Sequence, residues 1–182
     1  DFSSSYLGTA KQLSTILPAN RTVVWFYGHD HELAFYRKIQ MKGTSFFTIP
    51  RMVGNGGFAD KIQPPARSNS LIAWDSRVYQ EIPTVGTASA KVGFNGYFRI
   101  LVEGPELHVS YVTAKCKEDS CLNGFSQSDS TLLGEETIAV DLGSGDLQVK
   151  WTWLHPELSL YMPPQAMSRI DTSEVLVEDS LP

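Results

Sequence analysis

The chain has 182 residues, long enough to bury a core, and its 42% hydrophobic and 19% charged content with 14 Gly and 10 Pro excludes a disordered polymer and points to a strand-rich globular fold with many turns. A net charge of -5 with no basic cluster excludes a non-specific nucleic-acid or anionic-membrane surface. No apolar stretch is long enough to span a bilayer, and the first residues lack the basic-then-apolar layout of a signal peptide.

Residues 6–17 place Tyr6, Leu7, Ala10, Leu13, Ile16 and Leu17 at helical spacing, which predicts one amphipathic helix capped by Ser3, Ser4 or Ser5 and ended by Pro18. A tight link leads into a strand over 22–27. Strands over 33–41 and 44–49 follow, joined at Lys42-Gly43 as a hairpin, and then comes the glycine-rich turn Gly54-Asn55-Gly56-Gly57, where backbone can pass close to a neighbour. Residues 62–88 carry Pro64, Pro65 and Pro83 and show no period; they read as a long surface loop with a short segment at Ile72-Ala73-Trp74. Residues 96–103 and 107–114 form a hairpin about Gly104-Pro105, and 136–142 and 146–154 form a second about Gly143-Ser144-Gly145. Residues 1–160 then read as one domain portion and 161–182, rich in Pro, Ser and acids, as an extended tail.

The chemistry-bearing feature is Gly28-His29-Asp30-His31, directly after the apolar run Val23-Val24-Trp25-Phe26-Tyr27. A buried strand ending there presents His29 and His31, two residues apart, on one side of the backbone. Paired imidazoles suit a transition metal or a metal pair, whereas Asp30 points away from them. The bland alternative is a polar turn after a buried strand. Asn55 reads first as a turn residue, and as a possible contact for a ligand second. His108 and His155 read as surface or packing histidines. Trp25, Trp74, Trp151 and Trp153 suit core and hairpin faces, because no basic residues interleave with them. Tyr36 and Arg37 read as alternating between a packed face and solvent. No Gly-X-Ser-X-Gly elbow and no phosphate-loop motif occurs.

Cys116 and Cys121, the two cysteines, can close a small loop by a disulfide, a pairing that spacing alone leaves open. A metal role for them would need further ligands nearby. Asn20-Arg21-Thr22 is an N-glycosylation sequon, and with the cysteine pair it points to a secreted or secretory-pathway protein.

Helix, Thr-Val-Val-Trp-Phe-Tyr-Gly-His-Asp-His, the following Glu-Leu-Ala-Phe-Tyr-Arg, the Gly-Asn-Gly-Gly turn and the hairpin of Gly96-Tyr97-Phe98-Arg99-Ile100 with Leu107-His108-Val109-Ser110-Tyr111 together resemble the calcineurin-like metallophosphoesterases, in their purple and tartrate-resistant acid phosphatase branch. The resemblance implies an α/β fold: the C-terminal half of a four-layer α/β/β/α sandwich, mostly strands with one N-terminal helix. It further implies two divalent or trivalent ions (Fe, Zn or Mn), with His31 on the first and His29 on the second, and Gly28 allowing a sharp exit from the strand. Such ions, about 3.5–4 Å apart, polarise a phosphoryl group and supply hydroxide for in-line attack.

The family's Asp-X-His, Gly-Asp-X-X-Asp and Gly-Asn-His motifs are absent from these residues. The expectation is therefore a chain that contributes metal ligands to hydrolysis of phosphate monoesters, partnered by a missing N-terminal segment or companion chain, inactive alone and with no catalytic residue of its own. The contrasting expectation is a non-catalytic β-rich structural or binding module, such as an assembly subunit.

Overall fold

The structure is a computed structural model that describes residues 6–28, 31–56, 62, 65, 70–78, 80–83, 89–114 and 130–160. His29, Asp30, Cys116, Cys121 and the 161–182 tail lie outside the described residues. So do Gly57 and much of the 62–88 segment.

The helix α1 is shorter than its sequence pattern, Leu7–Leu13. Its last turn tightens because Thr15 N and Ile16 N bond the carbonyls of Gln12 and Leu13, while the Ser14 and Thr15 hydroxyls fold back onto Lys11 O and Gln12 O. The expected serine cap is replaced: the N-cap is Tyr6, with no side-chain cap bond. Tyr6 instead places its ring against Trp25 and Tyr27, at centroid distances of 5.8 and 5.3 Å, and donates its hydroxyl to Gly28 O at 3.1 Å.

Ten of the strands build two facing sheets. The larger contains β1 (Thr22–Tyr27), β2 (Leu33–Tyr36), β3 (Ile39–Gln40), β4 (Phe47–Val53), β5 (Leu71–Trp74) and β12 (Ser159–Leu160), ordered β1-β4-β2-β5-β12 with β3 also on β4. The smaller is β8 (Asn95–Glu103), β9 (Glu106–Ala114), β10 (Ser130–Val140) and β11 (Leu147–Leu154), ordered β11-β10-β9-β8. A separate hairpin pairs β6 (Gln80–Pro83) with β7 (Ser89–Val92). Three hairpin turns fall where glycine was read, and Gly43, Gly104 and Gly145 take φ of 71°, 58° and 69°, a conformation costly to any side chain.

Period-2 alternation sorts the larger sheet's faces, except on β5, where a register shift opposite Phe35/Tyr36 puts Leu71 and Ala73 on opposite sides. Leu33, Phe35 and Ala73 face the smaller sheet, where they meet Val109, Tyr111, Leu133 and Ile138. The Phe35 ring lies 4.7 Å from Tyr111 and 5.0 Å from Trp151. Tyr27, Ala34, Tyr36, Met52 and Leu71 face the other way with Trp25 and Trp74, and α1 closes one end of that side, Ala10 packing on Met41 and Phe46. Helix, sheet and sheet thus stack in order, a mostly β architecture with one short helix among the described residues. The tryptophans Trp25, Trp74 and Trp151 are packed in these clusters, and Tyr36 is buried while Arg37 is exposed.

Several strand expectations change. The 33–41 strand is broken at Arg37-Lys38, where the register against β4 slips by one residue between β2 and β3, and Lys38 pairs with Asp146. The strand expected over 44–49 runs on through Pro50 to Val53 in the sheet interior, although proline offers no ladder donor. Arg51 Nη1 donates to Tyr36 O at 2.7 Å and to Pro50 O at 2.9 Å, so a guanidinium satisfies these buried carbonyls beside the proline. The short segment in the presumed long loop is a sheet strand, β5, held between β2 and β12, and the β6–β7 hairpin was not anticipated at all. In the second hairpin, β10 starts at Ser130, six residues earlier than its apolar pattern suggested.

Candidate functional site

One end of the larger sheet collects the polar residues. Because β1 and β4 are parallel and β2 antiparallel to β4, the ends of β1 and β4 and the start of β2 coincide. Gly54 N donates to Glu32 O at 3.0 Å there. The end of β5 arrives at the same place, with Asp75 N donating to Leu33 O at 2.9 Å. His31, Glu32, Leu33, Asn55, Ile62, Asp75, Gly93 and Phe94 line a narrow cleft of about 10 Å³, the room one ordered water needs.

His31 is exposed at the rim of this cleft. His29 lies outside the described residues, so the structure positions one of the two expected ligands. Gly28 does not take a left-handed φ, and a Cβ there would meet Gly54 Cα at 3.5 Å, an ordinary contact; the chain leaves β1 without requiring glycine's freedom. The strict requirement is at Gly96, where a Cβ would lie 2.6 Å from both Asn55 Nδ2 and Val112 O. Asn55 is buried to 4% exposure and its carbonyl accepts Gly96 N at 2.8 Å. Its contacts are those of a residue that locks the end of β4 to the start of β8, which supports the turn reading over ligand contact.

Asp75 and Arg77 are the site residues that sequence reasoning missed. Arg77 Nε and Nη2 donate to the two Asp75 carboxylate oxygens at 2.7 and 2.8 Å, and Nη2 also reaches Thr113 Oγ1 at 3.1 Å. The guanidinium lies 4.7 Å over the Phe94 ring. A signal for them existed: Leu71-Ile72-Ala73-Trp74 ends in Asp75 as the first apolar run ends in Gly28-His29, both being apolar strands that deliver polar groups to one sheet end.

Asp75 commits both oxygens to Arg77, and among the described residues no three His, Cys, Asp or Glu side chains are grouped to hold an ion. Among the described residues lining the cleft His31 alone carries an imidazole, exposed at the rim, so the other ligands of any such centre would have to come from elsewhere.

The remaining histidines behave as packing and surface groups. His108 Nε2 lies 3.3 Å from Glu103 and 3.4 Å from Glu106, and the His155 ring stands edge-on to Trp153 at 5.5 Å. Asn20, the sequon residue, is exposed with φ of 63°, a left-handed conformation that asparagine tolerates. Comparison with protein-family models, with curated proteins and with solved structures returns no match.

Proposed function

We propose that this chain supplies the last metal-ligand motif of a two-metal centre that hydrolyses phosphate monoesters, His31 serving one ion and His29 the other. The carrying observation is that His31 lines a cleft at the sheet end shared by β1, β2, β4 and β5. Bound Fe, Zn or Mn ions would polarise the phosphoryl group and lower the pKa of a bridging water. The chain's own part is to present imidazole ligands, with Asp75–Arg77 and Asn55 bracing the strand ends beside His31. Carboxylate ligands come from a preceding segment or a companion chain, and with this reading go the four-layer α/β/β/α architecture, secretion, the Cys116–Cys121 disulfide and glycosylation at Asn20.

The test uses the native polypeptide with whatever segment accompanies it. Metal analysis should find two ions per site, and hydrolysis of p-nitrophenyl phosphate should fall about 100-fold or more in His31→Ala with loss of metal. The 182-residue chain alone should not turn over. Native material without metal or hydrolysis, or a His31→Ala variant with unchanged metal content and turnover, would overturn the reading. One observation favours a non-catalytic β-rich module instead, namely that Arg77 already occupies both oxygens of Asp75, a carboxylate lining the cleft beside His31.

A further inference from the structure

The smaller sheet ends in two unlike edges. Strand β11 exposes Gln148, Lys150 and Thr152 in strict alternation with half-buried apolar residues, a polar edge of the kind that resists pairing with other chains. Strand β8, which among the described residues pairs with β9 alone, exposes Tyr97 at 49%, Ile100 at 42%, Leu101 at 57% and Val102 at 65%. By the pleat, Tyr97 and Leu101 share a face with Arg99 and Glu103, and Ile100 and Val102 share the other. One face of this edge is therefore apolar, and the other sets exposed Tyr97 and Leu101 between the charges of Arg99 and Glu103.

Its backbone phase is fixed by the hairpin. Pro105 O accepts a bond from Val140 N of β10, so the main chain of Glu106 faces β8, and its pair with Glu103 closes the two-residue turn. The alternation then turns the N–H and C=O groups of Ile100 and Val102 outward, to the free edge.

We propose that β8 is a self-association surface, pairing antiparallel with β8 of a second copy about a twofold axis at Leu101. In that register Ile100 exchanges main-chain bonds with Val102 of the second copy, Leu101 packs on its own equivalent, and Arg99 stands opposite Glu103 of the second copy. Opposite charges directly across an antiparallel pair attract, and the twofold makes this contact twice. Sliding the strands to centre on Ile100 keeps the backbone phase but sets Arg99 against leucine, so charge selects the first register. Glu103 stays 62% exposed beside His108, open to such a partner. The proposal is independent of the phosphoesterase reading.

Sedimentation equilibrium of the 182-residue chain tests it, with circular dichroism of every variant to confirm folding; each substitution is at an exposed position. A reversible dimer is expected. Leu101→Lys sets like charges on the axis and should give monomer. Arg99→Glu should weaken the dimer about tenfold or more, and adding Glu103→Arg to it should restore the affinity, because the exchanged charges again oppose. A chain that stays monomeric up to about 100 μM, some tens of times above the micromolar affinities ordinary for such contacts, would overturn the proposal. So would a dimer indifferent to Leu101→Lys, or an exchange variant no better than Arg99→Glu.

Discussion

Arg51 and Arg77 each grip a carboxylate with two nitrogens, yet the two pairs occupy opposite settings. Arg51 reaches from β4 across the sandwich to Glu136 of β10, at 2.7 and 2.6 Å, with both side chains essentially sealed from water. Arg77 holds Asp75, two residues away, at the sheet end that carries His31, where the arginine stays 13% exposed. The first pair also satisfies the carbonyls of Tyr36 and Pro50 and receives the Tyr111 hydroxyl at 2.5 Å. Burial alone would favour a neutral Arg51, but the Glu136 charge outweighs it and holds the guanidinium above its ordinary value. Burial and then the same glutamate push the Tyr111 phenol well above its own, so it stays a donor. An ion pair inside the sandwich fixes how the sheets face each other, and one at the rim positions groups that meet solvent.

Breaking the interior pair gives the largest effect. Glu136→Gln keeps the shape but leaves the buried Arg51 charge without its counter-charge, and chemical denaturation should show a loss of about 3–5 kcal/mol. A loss below about 1 kcal/mol, the level of an exposed pair, would mean that the sheets do not depend on it.

The rim pair sharpens the contrast. Asp75→Asn removes the charge facing a partly solvated Arg77, which still has Thr113 within reach. A smaller loss of about 1–2 kcal/mol is expected, because water can take over part of the guanidinium's solvation. The same variant frees the β5 end from its clamp, so amide exchange should rise at Asp75 and Arg77 and stay unchanged at Phe35 and Tyr111. Uniform acceleration across both sheets would erase the distinction between the two pairs.

The sequence makes some of this legible and hides the rest for physical reasons. Hairpins about Gly43, Gly104 and Gly145 were readable because a left-handed residue between alternating runs has few other uses. The approach of His31 to a sheet end was readable because an apolar strand precedes it. Strand β5 showed only as the short segment Ile72-Ala73-Trp74 and not as a sheet member, since four residues between prolines carry no measurable period and a register shift at Phe35/Tyr36 blurs the faces. Glu136 was not readable either: a glutamate within alternating residues reads as solvent-facing, and its partner lies 85 positions away. Long-range ionic pairing leaves no local pattern, so Asp75 and Arg77 were legible only as a strand end, and the metal-ligand motif only through its resemblance.

The smallest expected effect concerns a third pair, at the surface. Asp146 accepts from Lys38 Nζ and Thr22 Oγ1, tying the β10–β11 turn to the larger sheet. Lys38 first, then Thr22, hold its pKa down from 3.8 to about 2. A carboxylate depressed in the folded state contributes stability above its unfolded value, and that contribution disappears as pH falls from about 4 to about 2. Asp141 is lowered too, by the Ser144 and Gly143 amides, so the Asp146 share must be isolated as the difference between the native chain and Asp146→Asn. At a side chain 39% exposed that difference should be under about 1 kcal/mol at pH 7 and should shrink further with added salt. Its persistence unchanged at pH 2, where the carboxyl is substantially protonated in both states, would show that Asp146 acts through shape and neutral hydrogen bonds, and would place this pair outside the ionic comparison altogether.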